Sequence, residues 1–277
     1  MIPFSFVKMH GLGNDFVVLD AFVSSFSIGK EEAKIISDRR FGIGCDQILI
    51  VKPSEIADAE VIVINSDGSK SDACGNGARC IISYLAEKLS KNTINIIMGD
   101  RCIAGQMISN SNVKIDMGAP DLRWDLIPLS REMNTLHLNL DRYYEGDLIL
   151  SDPVAVGMGN PHVVFFVKDI NLINLEMLGP TIENDEIFPN RVNVSVASVE
   201  KKNFINLKVW ERGVGLTLAC GSGACATFVG AVLRNLVEKK SKISLPGGIL
   251  EIEWLKNDHI SVEGEAVKVY EGYFNEF

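Results

Sequence analysis

Apolar residues in this chain fall mostly into short runs broken by glycine, asparagine, aspartate and proline. "DQILIVK", "EVIVIN", "HVVFFV" and "NLKVW" are examples. Runs of that length and β-branched content read as strands, and they occupy both halves. Two segments read as helices instead. The first is "KEEAKIISDRR", with Ala33, Ile36 and Ile35 as its inward set. The second is "NLINLEMLG", expected to stop at Gly179 ahead of Pro180. Two further helical stretches, "ARCIISYL" from Ala78 and "ACATFVGAVL" from Ala224, carry little polar surface. A helix that is apolar all round belongs inside a fold. The pattern therefore predicts an α+β protein. It has two pseudo-symmetric domains, each a curved, mostly antiparallel, barrel-like β-sheet around a central buried α-helix.

The two halves are copies of one pattern. "ACGNGARC" (73–80) returns as "ACGSGACA" (219–226), placing Cys74 and Cys220 at an offset of 146 (220 − 74). The same offset carries Gly13-Asn14 onto Gly159-Asn160, Gln47 onto Asn193 and Asn65 onto Glu211. It also carries Gly75, Gly77 and Ala78 onto Gly221, Gly223 and Ala224. The strand pattern is interrupted over 118–134, where two prolines sit among mixed charges. The expected division is an N-terminal half, 1–122, and a C-terminal half, 123–265. A strand-like tail follows, about 266–277, whose own pattern does not say which half it joins.

Composition narrows the function. With 47% hydrophobic and 23% charged residues the chain reads as globular. Its net charge of −9 argues against broad nucleic-acid binding. No apolar run approaches the roughly 18 residues of a membrane span, and the N-terminal residues lack a secretory signal. The expected location is the cytoplasm, with no membrane partner. The cysteine pairs 74/80 and 220/225 are spaced too widely for a zinc site, so no metal is expected. Cys45, Cys80, Cys102 and Cys225 are expected to be buried as small apolar residues.

Cys74 and Cys220 are different, because each stands directly before a glycine-rich helix start. That position offers backbone N–H groups and the positive end of the helix dipole, which lower a thiol pKa. Glycines there let a bound anion approach the amides. If the halves pack about a pseudo-two-fold axis, both thiols converge on one cleft, about 7 Å apart around a ligand at near-attack distances. Two thiols on opposite faces of one α-carbon, with amides holding its carboxylate, are what inversion of that carbon requires.

With these residues in view, the sequence resembles the diaminopimelate epimerase family over essentially its whole length. The resemblance rests on "KMHGLGNDFVVLD", "RFGIGCDQ", "NSDGSKSDACGNGARC", "GNPHVV", "PNRVNV", "ERGVGLTLACGSGACA" and "VYEGY". It implies a cofactor-independent isomerase that interconverts the LL and meso forms of 2,6-diaminopimelate, in lysine and cell-wall precursor synthesis. It implies Cys74 and Cys220 as the acid/base pair, tuned by His162 and Glu211. Gly75-Asn76 and Gly221-Ser222 would supply amides to the reacting carboxylate. Asn14, Gln47, Asn65, Asn160, Asn193, Glu211 and Arg212 would bind substrate. It also implies a homodimer involving Tyr270, and a tail that returns to the first half. Ser66 and Leu218 depart from the residues frequent in that family. A proline or hydroxyproline racemase would share the two-thiol logic without the distal polar shell. A thiol-redox switch would pair Cys74 with Cys220 but lacks a C-x-x-C motif.

Overall fold

The computed structural model describes residues 3–71 and 74–275. Asp72 and Ala73 of the first cysteine motif lie outside the described residues, as do the expected domain ends at Met1, Ile2, Glu276 and Phe277. Contacts divide the chain into two units, Met1–Asp116 with Glu263–Phe277, and Met117–Val262.

In chain order the first unit contains β1 (Phe4–Gly11), β2 (Asn14–Asp20), α1 (Lys30–Ser37), β3 (Gln47–Lys52), β4 (Ala59–Asn65), β5 (Lys70–Ser71), α2 (Gly75–Leu89), β6 (Thr93–Met98), β7 (Arg101–Met107) and β8 (Asn112–Asp116). The chain continues through β9 (Arg142–Tyr144), β10 (Asp147–Leu150), β11 (Val154–Gly157), β12 (Pro161–Phe166), α3 (Leu175–Glu183), β13 (Asn193–Lys201), β14 (Phe204–Glu211), β15 (Gly215–Thr217), α4 (Gly221–Leu233), β16 (Lys240–Leu245), β17 (Gly248–Trp254) and β18 (Ile260–Glu265). It ends in β19 (Val267–Phe274), which pairs antiparallel with β1.

The repeat seen in the sequence is also a repeat of pairing. In the first unit β1–β2 is antiparallel, β2–β3 parallel, β3–β4 antiparallel, β4–β6 parallel and β6–β7 antiparallel. In the second unit β11–β12, β12–β13, β13–β14, β14–β16 and β16–β17 run through the same alternation. Register repeats too, since Phe16 sits opposite Gln47 and His162 opposite Asn193. Gly13 and Gly159, before the matched asparagines, both hold φ at 83°, where a side chain would be strained.

Each sheet is covered on both faces. Helix α2 touches β1, β2, β6, β7, β8 and β19, so the first sheet bends around it. Helix α4 touches β11 to β14, β16 and β17 in the same way. On the outer faces, Ala33 and Ile36 of α1 pack with Val17, Leu19, Ile48 and Ile50. Leu175, Leu178 and Ile182 of α3 pack with Val163, Phe165, Val194 and Val196. Burial on both faces explains why the central strands are apolar runs rather than alternating ones. Helix α4 is buried almost continuously from Gly221 to Ala231.

Three local expectations are corrected. Helix α3 does not stop at Gly179 but includes Pro180 and runs to Glu183. The missing proline N–H costs one helical bond, and tertiary packing outweighs it. Ile182 is fully buried, and Glu183 accepts hydrogen bonds from Trp210 and Gly213. Ile35 is exposed, whereas Ala33 and Ile36 are buried. Cys102 is exposed rather than buried, on the outward side of β7; Cys45, Cys80 and Cys225 are buried. Among the described residues no helix is long and apolar enough to cross a membrane.

Candidate active site

In the first unit, Cys74 is the N-cap of α2, held extended at φ −149°, ψ 99°. Its Sγ accepts a hydrogen bond from the Gly77 N–H at 3.3 Å. A Cβ on Gly77 would stand 3.3 Å from that sulfur and 3.2 Å from Leu49. The glycine is therefore what lets the thiol lie over the first helical turn. Cys74 Sγ also lies 3.9 Å from Asn14 Oδ1, within reach of a thiol donor. The Asn76 amide donates to the same oxygen at 3.2 Å. Asn14, Cys74 and Asn76 are thus one cluster, with Gly75 between the last two. Gln47 and Asn65 face each other across β3–β4 and are hydrogen-bonded at 2.8 Å, while Asn65 donates to Ser69 at 2.9 Å.

In the second unit, Cys220 is the N-cap of α4 at φ −127°, ψ 107°. Gly223 repeats the role of Gly77, since a Cβ there would stand 3.3 Å from Cys220 Sγ and from Val209. Ser222 Oγ lies 3.7 Å from the sulfur. Cys220 is only 4% exposed, whereas Cys74 is half-buried. Burial pushes the Cys220 thiol well above its usual range, and the Glu211 carboxylate adds to the rise. The Gly223 N–H and Ser222 hydroxyl pull the other way and lose. The helix end that was expected to lower this pKa is therefore overridden by desolvation.

Glu211 is oriented by Thr217, whose hydroxyl donates to it at 2.6 Å. Asn193 donates to the Pro161 carbonyl and accepts from the Arg212 N–H, both at 2.9 Å. The Arg212 guanidinium donates to the Asn190 carbonyl at 2.9 Å. His162 is fully buried, with Nε2 2.9 Å from Asn160 Oδ1. Burial and then the Arg212 charge lower its pKa to about 3, so the imidazole is neutral at physiological pH. Tyr270 lies on β19, with its ring edge-on to Phe6.

Several side chains that support these clusters were given no role in the sequence analysis. Glu183 accepts from Trp210 Nε1 at 2.7 Å, from the Gly213 N–H at 2.9 Å and from Arg191 at 3.3 Å. It thereby fixes the turn that presents Glu211 and Arg212. Arg79, fully buried in α2, donates to Asn76 Oδ1 at 2.9 Å. Asp15, Asp46, Arg39 and Lys8 form a charged network behind Asn14. Asp15 and Asp46 adjoin the motif residues Asn14 and Gln47, and that adjacency is the one sequence signal that could have drawn attention to them. Among the described residues no group of three or more His, Cys, Asp or Glu is arranged to hold a metal.

The diaminopimelate epimerase family model matches residues 6–122 and 154–269, which include both cysteine turns. A diaminopimelate epimerase of Erythrobacter litoralis is 43% identical over 98% of this chain and 97% of its own length. One of Zymomonas mobilis is 43% identical with the same coverage. Among solved structures, a Bacillus anthracis phenazine biosynthesis protein of the PhzF family superposes with a TM-score of 0.69 at 16% identity, covering all of both chains. A hydroxyproline epimerase from Agrobacterium vitis gives 0.70 at 12% identity, over 99% of this chain and 91% of that one. At such identities these two likenesses speak to fold alone. The repeated sheet, the two cysteine-capped helices and the full-length similarity to curated relatives agree: the chain belongs to the diaminopimelate epimerase family.

Proposed function

We infer that the protein is a diaminopimelate epimerase, an isomerase that interconverts LL- and meso-2,6-diaminopimelate for lysine and peptidoglycan precursor synthesis. The observation that carries this reading is the match to the family model and its curated relatives across both cysteine turns.

In the proposed mechanism one thiolate removes the α-hydrogen as a proton, leaving its electron pair on the α-carbon and the adjoining carboxylate. The other thiol returns a proton to the opposite face. The two sulfurs therefore exchange protonation states in each turnover. Charge developing on the carboxylate is met by the first-turn amides of α2 and α4, at Gly75-Asn76 and Gly221-Ser222. Burial and Glu211 favour the protonated form of Cys220, which suits it to begin a turnover as the acid, with Cys74 as base. His162, neutral, orients Asn160 rather than exchanging protons itself. Arg212 is suited to a bidentate grip on the distal carboxylate, with Asn14, Gln47, Asn65, Asn160 and Asn193 supplying planar donors and acceptors. The chemistry as proposed calls on no cofactor.

The exposed side chains of β19, Val269, Tyr270 and Tyr273, support a homodimer through that strand. Light scattering of wild type against Tyr270→Asp tests it, with a drop to monomer mass expected. The activity itself is tested by offering LL-diaminopimelate, L-proline and trans-4-hydroxy-L-proline separately and resolving products by chiral chromatography. Only diaminopimelate should turn over. Inversion of either imino acid instead would assign the chain to the racemase reading.

A further inference from the structure

The Asn14 amide stands between two neighbours. On one side its Oδ1 meets the Asn76 amide at 3.2 Å and Cys74 Sγ at 3.9 Å. On the other its Nδ2 donates to Asp46 Oδ2 at 2.9 Å. Which end of an amide is oxygen is ordinarily ambiguous, and the hydrogen-bonding network decides it. Here both ends of the network are one-way groups. An ionised carboxylate only accepts, so the Asn14 atom facing Asp46 is nitrogen. A guanidinium only donates, so the Asn76 atom facing Arg79 is oxygen. Asn76 must then offer its NH₂ to Asn14, and Asn14 must offer its oxygen to Asn76 and to Cys74. The polarity is set twice, from opposite ends, and the two settings agree.

We propose that Asp46 is a positioning residue that acts through Asn14, locking the amide so that a carbonyl oxygen, and not an NH₂, faces the Cys74 thiol. Asp46 is itself fixed. Its Oδ2 also accepts the Asp15 N–H at 3.1 Å, and its Oδ1 accepts from Arg39 at 2.7 Å. Arg39 and Lys8 hold Asp15 in turn, Arg39 through two bonds at 2.9 and 2.7 Å. The second unit has no counterpart of this device. The 146 offset carries Asp15 to Pro161 and Asp46 to Val192. There Asn160 meets His162 Nε2 at 2.9 Å, and a neutral imidazole nitrogen donates or accepts according to its tautomer, so it is not a one-way group. Among the described residues the one-way lock on the amide is thus a feature of the first unit. An acceptor beside Cys74 favours the protonated thiol, so the lock sets how readily that sulfur takes up and releases the proton it exchanges with carbon. That last link rests on the proposed role of Cys74.

The test is a double-mutant cycle on Asn14→Ala and Asp46→Ala, with Asp46→Asn as the conservative variant. Two readouts are used: kcat and KM for LL-diaminopimelate, and the iodoacetamide alkylation rate of Cys74 at pH 7. Alkylation is followed on its own peptide by mass spectrometry, because exposed Cys102 also reacts. Asp46→Ala should lower kcat/KM about tenfold, the scale of one hydrogen bond to a charged group. It should also speed Cys74 alkylation about threefold, by removing a fixed acceptor. In the Asn14→Ala background it should add less than about twofold to either readout. Asp46→Asn keeps one accepting oxygen for Asn14 and should recover most of both. Equal loss in Asp46→Asn and Asp46→Ala, or an undiminished Asp46→Ala effect when Asn14 is absent, would overturn the proposal. The alkylation cycle reports the amide's position whatever Cys74 does. A cycle that behaves as expected while Cys74→Ser stays fully active would fault the catalytic reading and leave the positioning intact.

Discussion

Replacing Glu183 should loosen the Glu211–Gly213 turn, and its size can be worked from the hydrogen bonds it removes. The carboxylate is buried, accepting from Trp210 Nε1 at 2.7 Å and from the Gly213 N–H at 2.9 Å. The Trp210 ring lies flat against Gly179, where a Cβ would come within 2.5 Å of it, so the indole cannot turn aside to find another acceptor. A buried donor left unsatisfied costs about 1–3 kcal/mol; that applies to the Trp210 Nε1–H, whereas Gly213 is exposed and its N–H can pass to water. The Arg191 pair, exposed on its arginine side, adds little. Glu183→Ala should therefore cost about 2 kcal/mol, the middle of the range for the one buried donor it strands. Glu183→Gln keeps one acceptor and should cost about half of that. All three tryptophans, Trp124, Trp210 and Trp254, lie in the Met117–Val262 unit, so urea unfolding followed by tryptophan fluorescence reads the relevant unit. KM for substrate should rise with the loss, because the loosened turn carries Arg212. A Glu183→Ala midpoint equivalent to less than about 1 kcal/mol would refute the reasoning, since it falls below one unsatisfied donor.

Two predictions concern pH. His162 titrates near 6.5 when unfolded, and burial with the Arg212 charge brings it down to about 3 when folded. Its contribution is complete above pH 6.5 and is lost as pH falls toward 3, on the order of 1 kcal/mol per pH unit. His162→Phe, which installs the residue found at the matching position Phe16, should flatten that part of the fluorescence-detected stability profile; an unchanged slope would count against a buried neutral imidazole. Burial alone would raise the Asp15 carboxyl, but hydrogen bonds from Arg39 and Lys8, reinforced by their charges, hold it well below the usual carboxylate range. Its contribution is present above the unfolded value of 3.8 and is lost as pH falls below that toward the folded value. Hydrogen exchange of the β1–β3 amides should show wild type losing protection as pH falls below about 4, with Asp15→Asn less protected at pH 5 and flatter in acid.

Much of this was legible in the sequence, for physical reasons. The 146-residue offset survives because each half must place an asparagine, a polar strand end and a cysteine cap in one register, and chain spacing records register directly. The all-apolar α4 could only be buried. What stayed hidden was of another kind. Glu183 and Asp46 act through partners about 30 residues away in sequence, and Arg79 through Asn76 one helical turn back; a lone charge ordinarily reads as a solvated surface residue. Pro180 signalled a helix end because local propensity says so, while Ile182 and Glu183 are held in place by contacts that propensity does not contain. Cys102 was expected inside from residue type alone, but the period of β7 places it outside. For Cys220 the helix end and burial act in opposite directions, and only the depth of burial decides between them.

The central claim is that Cys74 and Cys220 together invert one α-carbon. Its most direct test is the epimerisation of LL-diaminopimelate in D₂O by wild type, Cys74→Ser and Cys220→Ser, without added cofactor. The account predicts that wild type delivers solvent deuterium to the inverted α-carbon, and that each serine variant loses epimerisation at least about 100-fold, the low end for a positioned acid or base. Full activity in either serine variant, or product formed without solvent deuterium, would contradict it.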